Sequence, residues 1–125
     1  MFFDLSAGQQ ALRQKVTDFC VRECPPEFES SLDQDGAFPE DLYRKLAESG
    51  FLRVSFPAAY GGVDGNILDI VLIAEQLARS SYTAVYMYLV NVVFAGTMIL
   101  NCGNESQKNE FLAKLLRGER KFAFA

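Results

Sequence analysis

The chain of 125 residues is half hydrophobic and 22% charged, with a formal net charge of -4, a size and balance suited to one globular domain with its own core. Its Lys and Arg residues are scattered, so they offer no clustered footprint for the polyanionic backbone of DNA or RNA. There is no histidine, which excludes Ser-His and Cys-His nucleophile pairs and nearly every zinc site, and leaves any proton transfer to a carboxylate.

The opening Met1-Phe2-Phe3-Asp4 has neither the basic region and apolar run of a secretory signal nor the Arg-rich character of a transit peptide, and a cytoplasmic location is the expectation. A first helix is predicted from about Ala7 to Glu23. Ser6 with Gln9 forms a capping box, Leu12, Val16, Phe19 and Cys20 share a stripe, and Pro25-Pro26 forbids continuation. Cys20 and Cys24 fall four apart on this helix while Cys102 is distant, a spacing that fits reduced, mostly buried thiols better than a disulfide framework or a zinc knuckle.

The stretch from Glu27 to Ala37 is polar and reads as a loop, with Asp33 and Asp35 beside Gly36 as solvated loop residues, because no apolar shell is there to make either a general base. Pro39 then opens a second helix through Ser49, with Leu42, Tyr43 and Leu46 inward and Gly50 as a left-handed stop. Phe51 to Pro57 reads as extended or irregular. It ends in the turn Tyr60-Gly61-Gly62, whose glycines lack the Gly-Lys-Ser/Thr context of a nucleotide loop.

Asn66 with Asp69 caps a helix through Arg79 whose first half, Ile67 to Ala74, is apolar on nearly every face. Glu75 and Arg79 sit four apart, the spacing of a solvated helix pair rather than of a catalytic carboxylate. Ser81 or Thr83 begins the next helix, from about Ala84 to Leu100, broken only by Asn91, Gly96 and Thr97. A helix apolar all round is buried by protein or by lipid. This run is short of the roughly 20 residues a bilayer needs, lacks flanking cations, and has amphipathic neighbours to cover it, so a central helix of a soluble bundle is expected and no membrane partner. Asn104 with Gln107 caps the last helix, which lines one face with Phe111, Leu112, Leu115 and Leu116 and stops at Gly118. Lys121 to Ala125 has the composition of a strand and breaks off without a turn signal, as a piece of a longer protein would. The fold class is therefore all-α, a helical bundle ending in the start of a β-strand.

The succession Phe38-Pro39, Leu46-Ala47-Glu48-Ser49-Gly50, Pro57-Ala58-Ala59-Tyr60-Gly61-Gly62, Glu75-Gln76-Leu77-Ala78-Arg79, then Gly103-Asn104 with Gln107-Lys108, resembles the N-terminal helical domain of the acyl-CoA dehydrogenase family. Each motif alone is weak, and the signal lies in their order and spacing over essentially the whole chain. Ala58 and Ala59 stand where the family often has acidic residues. The resemblance implies a helical domain over residues 1-120. In residues 121-125 it implies the start of a strand that runs into a middle β-domain and its Thr-Glu-Pro flavin-contacting motif.

It further implies an FAD enzyme that removes the α-proton of an acyl-CoA to a carboxylate while the β-hydride goes to the flavin, with the catalytic Glu outside these residues. Phe124 and Ala125 match the strand that touches FAD, a cofactor these residues alone are not expected to retain. Tyr86, Met87, Val90 and Phe94, three to four apart on the long apolar helix, match positions that line the acyl pocket. The implied partners are an acyl-CoA substrate, an electron acceptor and further copies of the chain in a homotetramer. An acyl-CoA oxidase, a flavin-dependent monooxygenase or a non-catalytic helical module would read alike.

Overall fold

The computed structural model describes residues 4-123, and Asp35 by its backbone alone. Helix α1 (Ala7–Glu23) begins as the capping box requires: the Gln9 amide donates to Ser6 Oγ at 3.2 Å and the Ser6 amide to Gln9 Oε1 at 3.0 Å. Its inner stripe, Val16, Phe19 and Cys20, is buried. Burial pushes the thiols of Cys20 and Cys24 up, Cys24 to about 11, so both remain protonated and inert at neutral pH. Cys102 is exposed.

The polar stretch expected to be a loop is instead a helix, α2 (Phe28–Asp35), closed by Gly36 in the left-handed region at φ 60°. Asp33 and Asp35 therefore belong to a helix. Its cause lies far along the chain, because the Glu29 carboxylate seats on the start of another helix, accepting from the Thr83 amide at 3.1 Å, the Thr83 hydroxyl at 2.7 Å and the Ser81 hydroxyl. Helix α3 (Glu40–Glu48) follows Pro39 and ends at Gly50, whose φ is 85°.

The segment expected to be extended or irregular opens with a helical turn, Phe51–Arg53, which buries Phe51 and Leu52 directly under α3, and is irregular from there to Pro57. Amides of Val63, Asp64 and Gly65 donate back to the carbonyls of Arg53, Phe56 and Val54. The fold-back is so tight that a Cβ on Gly62 would lie 1.9 Å from the Phe56 carbonyl oxygen, leaving room for glycine alone.

Helix α4 (Ile67–Ser80) carries its own capping box from Asn66 and Asp69 and packs along α1 through Leu72, Ile73 and Leu77. Its apolar composition exceeds what this seam uses, so Ile67, Leu68 and Val71 are left exposed. Ser81 closes α4 and opens α5 (Tyr82–Cys102), a continuous helix long and apolar enough to cross a membrane. Ala84, Met87, Tyr88 and Val92 are nevertheless buried in the centre of the bundle, as a core helix requires. Its other flank, with Tyr82, Tyr86, Phe94 and Met98, is exposed, so the cover expected on every side is provided on one. Helix α6 (residues 105-116) starts at the Asn104 capping box and returns Leu112, Leu115 and Leu116 to the core. Residues 120-123 have no regular structure, and no strand occurs among the described residues to close a ladder with them.

Candidate functional site

The site is built on the middle of α5. From Leu89 to Gly96 the helix widens into π register, with i→i+5 bonding of the kind that often marks functional positions. Asn91, 3% exposed, is the polar group at its centre. Its Nδ2 donates to the Met87 carbonyl at 2.9 Å, and its Oδ1 accepts from the Phe122 amide at 2.8 Å. A buried amide is costly unless bonded. Both ends of this one are used, and the second ties the segment after α6 across α5.

Two further contacts hold that segment on α3. The Tyr43 hydroxyl donates to the Arg120 carbonyl at 3.1 Å, and Lys121 pairs with Glu40 while lying 4.6 Å above the Phe38 ring. Burial, reinforced by the charge of Glu40, raises the Tyr43 hydroxyl above the usual phenol range, so it donates at any physiological pH.

Between α5, Phe38 and this segment lies an apolar pocket of about 220 Å³, walled by Phe38, Tyr86, Met87, Val90, Asn91, Phe122 and Ala123. Three of the residues singled out from the sequence, Tyr86, Met87 and Val90, thus meet in one pocket. Phe94 is not among its walls and stands 49% exposed, one turn further along the helix. Phe124 and Ala125 lie outside the described residues. Sequence reasoning missed Phe38, Asn91 and Phe122, although a lone Asn in an apolar run was a visible signal. A second apolar cavity, of about 310 Å³, opens between the end of α5 and α6, lined by Met98, Ile99, Cys102, Gly103, Gln107, Phe111 and Phe122.

Comparison with known proteins settles the family. The model of the acyl-CoA dehydrogenase N-terminal domain matches residues 6-119. The chain belongs to this family. It is 32% identical to a 3-(aryl)acrylate reductase of Clostridium sporogenes and 30% identical to the caffeyl-CoA reductase-Etf complex subunit CarC of Acetobacterium woodii, in each case over all of this chain and 32% of the relative. The fold matches butyryl-CoA dehydrogenase from Megasphaera elsdenii with a TM-score of 0.87 and 27% identity, covering 97% of this chain and 32% of that one. The chain thus spans about a third of the length of these relatives.

Within this acyl-CoA dehydrogenase N-terminal domain, the described residues that wall the pocket include no carboxylate. Glu75 and Arg79 pair at 2.8 Å on the exposed side of α4, away from it. What the site offers, among the described residues, is an apolar socket whose one buried polar side chain, Asn91, has both ends engaged. It suits a hydrocarbon chain and has no cationic cradle for a phosphate.

Proposed function

We propose that this domain forms part of an FAD-dependent enzyme that adds or removes hydrogen across the α,β carbon-carbon bond of acyl-CoA thioesters, and that its share of the work is to receive the acyl chain. The observation carrying this reading is the meeting of Tyr86, Met87 and Val90 in one apolar pocket bordered by the segment that leads toward Phe124. FAD, when bound, supplies the two-electron chemistry. Phe124 and Ala125 are the residues of this chain that would touch it. The residues described here bind the chain, hold it in a water-poor socket and so fix the α and β carbons by the length left outside.

The names of the relatives support both directions of the reaction: two are reductases, of 3-(aryl)acrylates and of caffeyl-CoA, and the structural neighbour is a dehydrogenase. Hydrogenation and dehydrogenation of one bond are the same step reversed. A relative named as a subunit of a complex with Etf supports an electron-transferring protein as partner. A cytoplasmic tetramer completes the proposal.

The test is anaerobic titration of the flavin-loaded enzyme carrying this domain with butyryl-, octanoyl- and dodecanoyl-CoA, following the visible flavin band. Bleaching by at least one thioester is expected, and Tyr86→Ala is expected to move the kcat/KM optimum toward longer chains, since one methylene in an apolar pocket is worth about 1 to 3 kcal/mol of discrimination. A folded, flavin-bound enzyme that no acyl thioester reduces, and that no enoyl thioester reoxidises, would sink the reading.

A further inference from the structure

We infer that Phe122, seated by Asn91, is the partition that sets how long an acyl group this site accepts; the inference rests on the acyl-binding reading above. Phe122 is the side chain common to the two apolar cavities, of about 220 Å³ and about 310 Å³. On one side it faces Tyr86, Met87 and Val90, and on the other Met98, Ile99 and Phe111. Its ring stands edge-on to Phe111, with centroids 6.4 Å apart at 87°. A chain seated against Tyr86, Met87 and Val90 has this ring as its wall toward the second cavity.

The position of that wall is imposed through the backbone. The Phe122 amide donates to Asn91 Oδ1, the residue before it pairs with Glu40, and the Arg120 carbonyl accepts from Tyr43. Asn91 is thus a positioning residue. Leu or Val at this place would extend the apolar face of α5 at no desolvation cost, but would leave the Phe122 amide without its acceptor. The first cavity alone exceeds the roughly 150 Å³ that encloses one benzene molecule, space for a short acyl group. The second cavity is equally apolar, so with the ring removed the two become one continuous channel in which further methylenes are buried.

The experiment uses the flavin-loaded enzyme with Phe122→Ala and Asn91→Leu, and compares kcat/KM over butyryl-, hexanoyl-, octanoyl- and decanoyl-CoA. Phe122→Ala is expected to move the optimum to a longer chain, with a relative gain of about tenfold or more for decanoyl- over butyryl-CoA. Asn91→Leu is expected to shift the profile the same way and, in the 125-residue chain, to speed hydrogen exchange at the Phe122 amide about tenfold or more, a readout that does not depend on turnover. Phe122 is only half buried, so its alanine variant decides the matter even where Asn91→Leu unfolds. A folded, flavin-bound Phe122→Ala enzyme with an unchanged chain-length profile overturns the partition alone. A wild-type flavin that no acyl thioester reduces and no enoyl thioester reoxidises overturns the acyl-binding reading and the partition with it.

Discussion

Helices α4 and α5 are drawn from the same apolar residue types and meet at Ser81, yet they use their interiors differently. The inner stripe of α4 is regular and nearly all hydrocarbon, with Leu72, Ile73 and Leu77 buried and Gln76 among them, its Oε1 accepting from the Thr17 hydroxyl of α1 at 3.2 Å. Helix α5 places polar groups in the middle of the core: Asn91 with both ends bonded, and Tyr88, whose fully buried hydroxyl has no partner among the described residues. It also departs from α register where α4 does not. Hydrophobic packing is enough to make a scaffold helix. Polar atoms and a widened turn inside a helix carry a cost, and in α5 Asn91 and the widened turn coincide with the pocket wall.

The largest effect that tests this contrast is in α4. Ile73 is fully buried and Val71 is exposed two residues away. Ile73→Ala is expected to cost about 2 to 5 kcal/mol and Val71→Ala within about 0.5 kcal/mol, measured by urea unfolding of the 125-residue chain. Comparable losses at the two positions would mean that the outer face of α4 is packed as well, and the contrast with α5 would fail.

The two helices also start differently. Asn66 caps α4 from the adjacent residue, whereas α5 adds to its own cap, the Ala84 amide on Ser81 Oγ at 3.0 Å, a carboxylate from α2: Glu29 meets the Ser81 hydroxyl and both the amide and the hydroxyl of Thr83. Negative charge at a helix N-terminus is favoured by the exposed amides and the dipole. Burial opposes ionisation of Glu29, but the bonds from Ser81 and Thr83 outweigh it and hold the carboxyl below its ordinary 4.5. A carboxylate with a depressed folded pKa contributes stability that is complete above the unfolded value and is lost as pH falls through the folded one. Glu29→Gln is therefore expected to cost about 1 kcal/mol at neutral pH. The gap to wild type should narrow below pH 4.5. A gap independent of pH down to acid unfolding would show that the charge contributes nothing and that the amide serves equally.

The same pair of starts shows what could be read from the sequence and why. Caps whose partners lie three residues apart, Ser6 with Gln9, Asn66 with Asp69 and Asn104 with Gln107, are visible in a short window, and with the apolar stripes between them they announce the bundle. Helix α2 was not visible, because what seats it is a carboxylate 52 and 54 residues from its partners. Its local pattern is merely polar, although Phe28 and Leu32 on one face and Gly36 behind them were a faint sign. The gathering of Tyr86, Met87 and Val90 follows from helical spacing. The absence of Phe94 from the pocket's walls does not, since spacing does not say which turns of a helix a neighbouring segment covers. Phe122 read as strand material, and its role as a wall depends on a bond to Asn91 across 31 residues.

The smallest expected effect lies on the outer side of α4, at the one place in that helix where a carboxylate tempts a chemical reading. Glu75 and Arg79 pair at 2.8 Å with side chains 45% and 69% exposed. Two flexible, solvated side chains gain little from meeting. Exposed pairs at this spacing contribute about 0.3 to 0.5 kcal/mol, and salt screens them further. Glu75→Gln should therefore lower stability by no more than about 0.5 kcal/mol, with the difference vanishing at high ionic strength, and should leave the chain-length profile of the enzyme as it was. A carboxylate that abstracts a proton needs to reach substrate, and Glu75 is not among the walls of the pocket. A loss above about 1 kcal/mol that persists at high salt would mark a desolvated pair rather than a surface one. α4 would then share with α5 a charged or polar element under cover, placed there by whatever packs on Ile67 and Val71 in the assembled enzyme.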